Sequence, residues 1–192
     1  MHRFLFSLLL LCLLMPGCRS VEQLNRELMD GISNVNEYKI YQALEHGANP
    51  NTAARENETA LGLLMRQYKY SHKVRRIRIE RTATAMLEYG ADPNALHHGF
   101  TPLQIAAGQR SETLVSRLLI KGADPNLETK AGLAPIWQAV YDNNYKIGQR
   151  LLQGGANPNA RDEKGRTPLE YLKARGYTRT RLMVQLKYYG GR

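Results

Sequence analysis

The chain has 192 residues, 43% of them hydrophobic and 23% charged, with 27 Lys and Arg against 17 Asp and Glu for a formal charge of +10. That composition is ordinary globular material, too apolar for a disordered chain, and two cysteines exclude a disulfide framework. The positive excess suits a partner that is nucleic acid, anionic lipid or acidic protein, and the choice depends on where the chain resides.

The N-terminus bears on that choice. His2 and Arg3, the apolar run Phe4–Met15 and then Pro16-Gly17-Cys18 have the layout of an export signal over residues 1–17. The apolar run is too short to span a bilayer as a stable helix. Leu14-Met15-Pro16-Gly17-Cys18 resembles a bacterial lipobox, with Met15 where leucine is commoner. The resemblance implies cleavage before Cys18 and a lipid on that cysteine; a plain secretory signal beside an incidental cysteine is the alternative. Arg19 is not the aspartate that often retains such lipoproteins in the inner membrane, so the analogy implies the outer membrane, facing the periplasm. Residues 18–192 then form one elongated domain. Cys12 leaves with the signal, so no disulfide is expected. Behind an export signal, nucleic acid gives way to acidic proteins, anionic headgroups or lipopolysaccharide phosphates.

Beyond Arg19 the elements follow in pairs. Val21, Leu24, Leu28 and Ile32 recur at helical spacing, and after Asn34 and Asn36 a second helix is predicted over Tyr38–His46, with Ile40, Ala43 and Leu44 inward. Leu61, Leu63, Leu64 and Met65 predict the next helix. A basic stretch, 66–81, follows, with seven Lys or Arg and one acid, and then Ala83, Met86 and Leu87. Val74 and Ile77 continue that stripe, which predicts a second helix extended toward its N-terminus with both residues facing inward. Leu114, Val115, Leu118 and Leu119 mark another helix, and Trp137 is expected in the core between units, with partial exposure on the inner surface as the alternative. Leu182, Leu186 and Tyr189 align in a last helix over Thr180–Tyr189, whose basic outer face suits a terminal cap.

Two motifs keep one register through this series. A Gly-Ala-Asp/Asn-Pro-Asn turn occurs at Gly47–Asn51, Gly90–Asn94, Gly122–Asn126 and Gly155–Asn159, with glycines 43, 32 and 33 residues apart. Thr59-Ala60-Leu61, Thr101-Pro102-Leu103, Ala134-Pro135-Ile136 and Thr167-Pro168-Leu169 are spaced 42, 33 and 33. Each residue type has a local reason. Glycine takes the left-handed conformation that ends a helix, Asp-Pro-Asn makes a tight turn, threonine caps the next helix and proline fits its first position. A period near 33 with a T-P-L-x-x-A signature resembles the ankyrin repeat. The resemblance implies an all-α solenoid of about five stacked helix-turn-helix repeats with hairpin fingers, at about 21–51, 52–94, 95–126, 127–159 and 160–192, the end repeats being degenerate caps. Ala134 in place of threonine weakens one cap. The second repeat is about ten residues too long, and its insertion is the basic stretch Lys69, Lys73, Arg75, Arg76, Arg78 and Arg81. That stretch is either a solvated helix face or a contact for a partner or lipid.

No catalytic or metal constellation stands out. His97-His98 is the one histidine pair, with no third ligand at metal spacing. No phosphate loop or nucleophile elbow occurs, and Asp162-Glu163 beside Lys164 and Arg166 reads as a solvated ion cluster. No cofactor and no enzyme activity are therefore expected. The family resemblance implies binding through fingertips and inner helices. Carried over position by position, the fingertips are Arg55, Glu56 and Glu58; His97, His98 and Phe100; Lys130 and Leu133; and Glu163, Lys164 and Arg166. The inner-helix ends add Arg66, Gln67, Gln109, Tyr141, Asp142 and Arg175. An aromatic centre with a charged rim is the usual anatomy of a protein interface.

Small ankyrin lipoproteins of this layout resemble immunity proteins against type VI secreted toxins, including phospholipases. That resemblance implies a monomer when unbound, tethered at Cys18, which occludes an acidic-surfaced toxin or periplasmic enzyme. Two alternatives stay open: an envelope scaffold binding anionic lipid or lipopolysaccharide through its basic faces, and an accessory factor that assists a periplasmic enzyme.

Overall fold

The computed structural model describes residues 19–129 and 132–192. The expected export signal over residues 1–17, the expected lipid site Cys18 and the expected contact Lys130 lie outside the described residues. The described chain forms ten helices in five consecutive pairs: α1 Val21–Asn34 and α2 Glu37–Glu45; α3 Ala60–Arg66 and α4 Lys73–Glu88; α5 Pro102–Gly108 and α6 Glu112–Ile120; α7 Ile136–Tyr141 and α8 Tyr145–Gln153; α9 Pro168–Ala174 and α10 Arg181–Tyr188. Within each pair a short connection brings the helices back antiparallel. The first helix of each pair packs on the first helix of the next, and the second helices do the same, so two parallel layers run the length of the stack. The fold is an all-α ankyrin solenoid.

Local chemistry sets the helix boundaries. Thr59, Thr101 and Thr167 cap α3, α5 and α9, and at α5 and α9 a Gln104 or Glu170 side chain completes a capping box with proline at the first helical position. At α7 no side chain caps the start: Pro135 stands there after Ala134, and the helix is only 6 residues long. Short polar residues also start the second helices: Asn36, Ser111, Asn144 and Thr180 each accept a bond from the backbone three residues on.

The turns align along one edge. Gly47, Gly90, Gly122 and Gly155 have φ between 88° and 98°, which ends the outer helices. The asparagine closing each turn reaches the next one: Asn51 Oδ1 accepts from Asp92 N at 2.7 Å while its Nδ2 donates to Gly90 O at 3.0 Å. Asn94 joins Asp124 N and Gly122 O, Asn126 joins Asn157 N and Gly155 O, and Asn159 joins Arg192 N and Gly190 O in the same way. The ladder fixes the rise and register of the stack without a disulfide.

Between the layers lies one continuous apolar core that includes Leu28, Ile32, Ile40, Leu64, Met65, Met86, Leu103, Leu114, Leu118 and Trp137. Trp137 is fully buried, as its position predicts. Two expectations need correction. Val74 and Ile77 are 61% and 47% exposed; the buried positions of α4 are Ile79, Thr82, Ala83, Ala85, Met86 and Leu87. Tyr189 stands past the end of α10 and is 37% exposed, while Met183 joins Leu182 and Leu186 inside.

Candidate protein-binding face

The fingers lie between the end of each outer helix and the start of the next inner one. In the first, β1 Ala53–Arg55 pairs antiparallel with β2 Glu58–Thr59 around Asn57, whose φ is 62°. The second is tighter, a bridge between His97 and Phe100 turned by His98 and Gly99, both at positive φ. These two fingers are tied together: His98 N donates to Asn57 O at 2.8 Å, and His98 Nε2 lies 3.1 Å from Glu58 Oε1. In the third, Thr129 N donates to Leu133 O. In the fourth, Asp162 Oδ1 accepts from the backbone of Lys164 and Arg166, and its Oδ2 accepts from Arg166 Nε at 2.8 Å and forms an ion pair with Arg166 Nη2 at 2.7 Å.

Arg55, Glu56, His98, Phe100, Glu163 and Lys164 are exposed at the fingertips, and Glu58, Leu133 and Arg166 are half-buried there. His97 is not at the surface. Its ring is 1% exposed and packs over Gly62, where a Cβ would come within 2.3 Å of the His97 Cβ. Both ring nitrogens lack a hydrogen-bond partner among the described residues. Burial first, and then the charges of His98 and Arg66, lower its pKa from 6.5 to about 4, so the ring is neutral at pH 7. Asp162 is likewise no solvated ion. Burial would raise its pKa, but the bonds from the Arg166 side chain and from the backbone of Arg166 and Lys164 outweigh it and hold the carboxyl below its usual range.

The inner-helix ends divide by what their side chains already do. Gln67 Nε2 donates to Ile32 O and Gln109 Nε2 donates to Met65 O, each at 2.8 Å, so both stitch one repeat to the previous helix end rather than stand free for a partner. Asp142 pairs with Arg110 at 2.9 Å. Arg66 and Arg175 are exposed. Tyr141 is 43% exposed and belongs to a ring cluster, its centroid 5.5 Å from Trp137 and 5.3 Å from Tyr171, with the Arg166 guanidinium 5.0 Å from the Tyr171 ring. Burial, and then the carboxylate of Asp162, raise the Tyr141 pKa.

Tyr171, Leu63, Ile105 and Gln138 are absent from the expected binding positions. These four occupy one repeat position, four residues after Thr59, Thr101, Ala134 and Thr167, and all are half-buried on inner helices. They form the floor between the finger row and the helix ends. A half-buried floor of Leu63, Ile105 and Tyr171, with Phe100 and Tyr141 more exposed and charged side chains at both margins, suits another protein's surface. Among the described residues no group of three or more His, Cys, Asp or Glu is placed to hold a metal ion.

Two consecutive segments, residues 98–130 and 131–163, match the family model of the ankyrin repeat. Over 61 residues, 32% of the chain, the sequence is 38% identical to "Ankyrin repeat and MYND domain-containing protein 1" of Homo sapiens and to its Mus musculus counterpart. The match spans only 6% and 7% of those two proteins, so the likeness concerns the repeats alone. The chain carries ankyrin repeats, stacked as a solenoid of the kind that serves as a protein–protein interaction module.

Proposed function

We propose that this chain is a non-catalytic binding module of the bacterial cell envelope. It is exported by residues 1–17, tethered by lipid at Cys18 on the periplasmic side of the outer membrane, and acts as an immunity protein that occludes a secreted toxin enzyme such as a phospholipase. The observation that carries the binding part is the inner face described above, where Phe100, Tyr141 and Tyr171 stand between charged margins. Export and tethering rest on the sequence pattern Leu14-Met15-Pro16-Gly17-Cys18, and the toxin on the resemblance of a short, basic, membrane-tethered ankyrin stack to known immunity proteins. A rigid stack loses little entropy on binding, and the net charge left once residues 1–17 are removed, 26 Lys and Arg against 17 Asp and Glu or +9, speeds encounter with an acidic enzyme.

The test is direct. The full chain is titrated into a type VI secreted phospholipase from the same cell, and lipid hydrolysis is followed alongside binding. Stoichiometric inhibition is expected, and Phe100→Ala with Tyr141→Ala should weaken it at least tenfold, with circular dichroism checking that the double variant stays folded. Undiminished hydrolysis at saturating chain, or stimulation, overturns the inhibitor reading. Cys18→Ser should release the chain from the membrane fraction; persistence there overturns the tether.

A further inference from the structure

The basic stretch of the second repeat is a rigid overhang. The C-terminal ends of the outer helices are held in register by the asparagine ladder, yet α4 has 16 residues where α2 and α6 have 9 each. All seven extra residues therefore project at the N-terminal side, about 10 Å beyond the neighbouring helix starts at 1.5 Å per residue. The side-chain contacts agree with that register, since Ser111 at the start of α6 bonds Glu80 and Glu37 at the start of α2 pairs with Arg81. Two arginines point back and stiffen the projection: Arg75 donates to Gln67 Oε1 at 2.8 Å, while Arg76 donates to Tyr68 O and Lys69 O and stacks on the Tyr68 ring. The one acid of the stretch, Glu80, is turned inward and accepts from Tyr68 and Ser111.

What remains outside is one stripe of mixed character. Val74, Ile77, Arg78 and Arg81 follow at i, i+3, i+4 and i+7 and are all exposed, and Lys73 and the 86%-exposed Tyr70 stand at its tip. Among the described residues Lys73 and Arg78 have no carboxylate within ion-pair distance. By the chain connections this projection lies at the edge opposite the fingers, next to the inner-helix end at Arg66 and Gln67. Aliphatic side chains bracketed by unpaired cations on a convex projection fit an interface that is anionic, broad and apolar beneath its charge. We propose that the overhang docks on the surface of an anionic lipid bilayer, with Val74, Ile77 and Tyr70 entering the interfacial layer and the unpaired Lys73 and Arg78 meeting lipid phosphates. A protein's acidic patch would match the cations but leave the aliphatic pair without a layer to enter. The docking is separate from the inhibitor reading.

Insertion is read locally, so that any membrane attachment through residues 1–18 does not obscure it. Val74→Trp is made in the full chain, with the parent as the blank for the buried Trp137, and mixed with vesicles of phosphatidylcholine alone or with about a third phosphatidylglycerol, acyl chains brominated. Expected is a blue shift and bromine quenching of the introduced indole on the phosphatidylglycerol vesicles only, reversed by about 0.5 M salt. Adding Lys73→Glu and Arg78→Glu should weaken this at least tenfold, whereas Lys73→Arg and Arg78→Lys should preserve it. Ile77→Trp provides a second reporter if the first variant is unstable. An indole that stays accessible to iodide on phosphatidylglycerol vesicles overturns the proposal, as does equal quenching on neutral lipid. So does a blue shift given by polyglutamate and not by vesicles, which would assign the stripe to an acidic protein.

Discussion

Burying a neutral histidine makes the stack acid-sensitive at one identifiable place. His97 is 1% exposed, faces the cationic Arg66 and the ring of His98, and has Glu58 as the nearby opposing charge. Its folded pKa is about 4 against 6.5 for the free side chain. The folded value is the lower one, so the unfolded chain takes up the proton first and stability falls as pH falls. The contribution is intact above about pH 6.5 and is lost on the way down to about pH 4. Linkage with these two values gives about 2 kcal/mol lost by about pH 5 and about 3 kcal/mol by about pH 4. The assay is urea unfolding of the wild type and His97→Leu at matched pH, because carboxylates and the other histidines titrate in both chains and cancel in the difference. His97→Leu should gain about 2 kcal/mol on the wild type between about pH 7.5 and about pH 5. A difference that stays constant over that range would show that His97 is not held neutral by burial, and the packing argument at Gly62 would go with it.

Other consequences of the same geometry are separately measurable. Gly62→Ala should cost more than Gly148→Ala, since the new methyl meets His97 at its Cβ in one case and the mobile end of Leu182 in the other; overpacking costs of about 1–3 kcal/mol bracket the two in thermal unfolding. Ala134→Thr should supply the missing cap of α7 and raise stability by up to about 1 kcal/mol, while Thr101→Ala should lower it by a similar amount. Asn94→Ala removes the bonds to Asp124 N and Gly122 O and should cost about 1–2 kcal/mol, with hydrogen exchange rising first at the turn 122–126.

The repeat period was legible because every part of the signature acts locally. A left-handed glycine, an Asx turn and a threonine cap each need only their neighbours, so the fold could be read without knowing what packs on what. The asparagine ladder was latent in the same motif: the residue closing each turn recurs with the glycines, although the last rung, at Gly190 and Arg192, has lost the motif around it. The inner floor was also recoverable, because Leu63, Ile105, Gln138 and Tyr171 keep the spacing of the Thr-Pro-Leu elements themselves. His97 was harder. It adjoins an exposed histidine in a finger, and only the alternation of side chains across a short bridge, with Gly62 opposite, says which of the two points in.

Val74 and Ile77 show where such reading has to stop. Helical spacing puts them in line with a face, but it cannot say whether that face is covered, because coverage belongs to the neighbours. Over Glu80–Glu88 the helix α4 lies between α2 and α6, and its apolar residues go inside. Seven residues earlier both neighbours have already ended, and the same hydrophobic spacing turns from core into surface. An insertion that merely lengthened the core would have kept those positions buried. One that projects past the stack while keeping two aliphatic residues among unpaired cations has a surface with a composition the core did not impose. For that reason the overhang, more than the repeats that hold it, is where this chain's own chemistry should be sought.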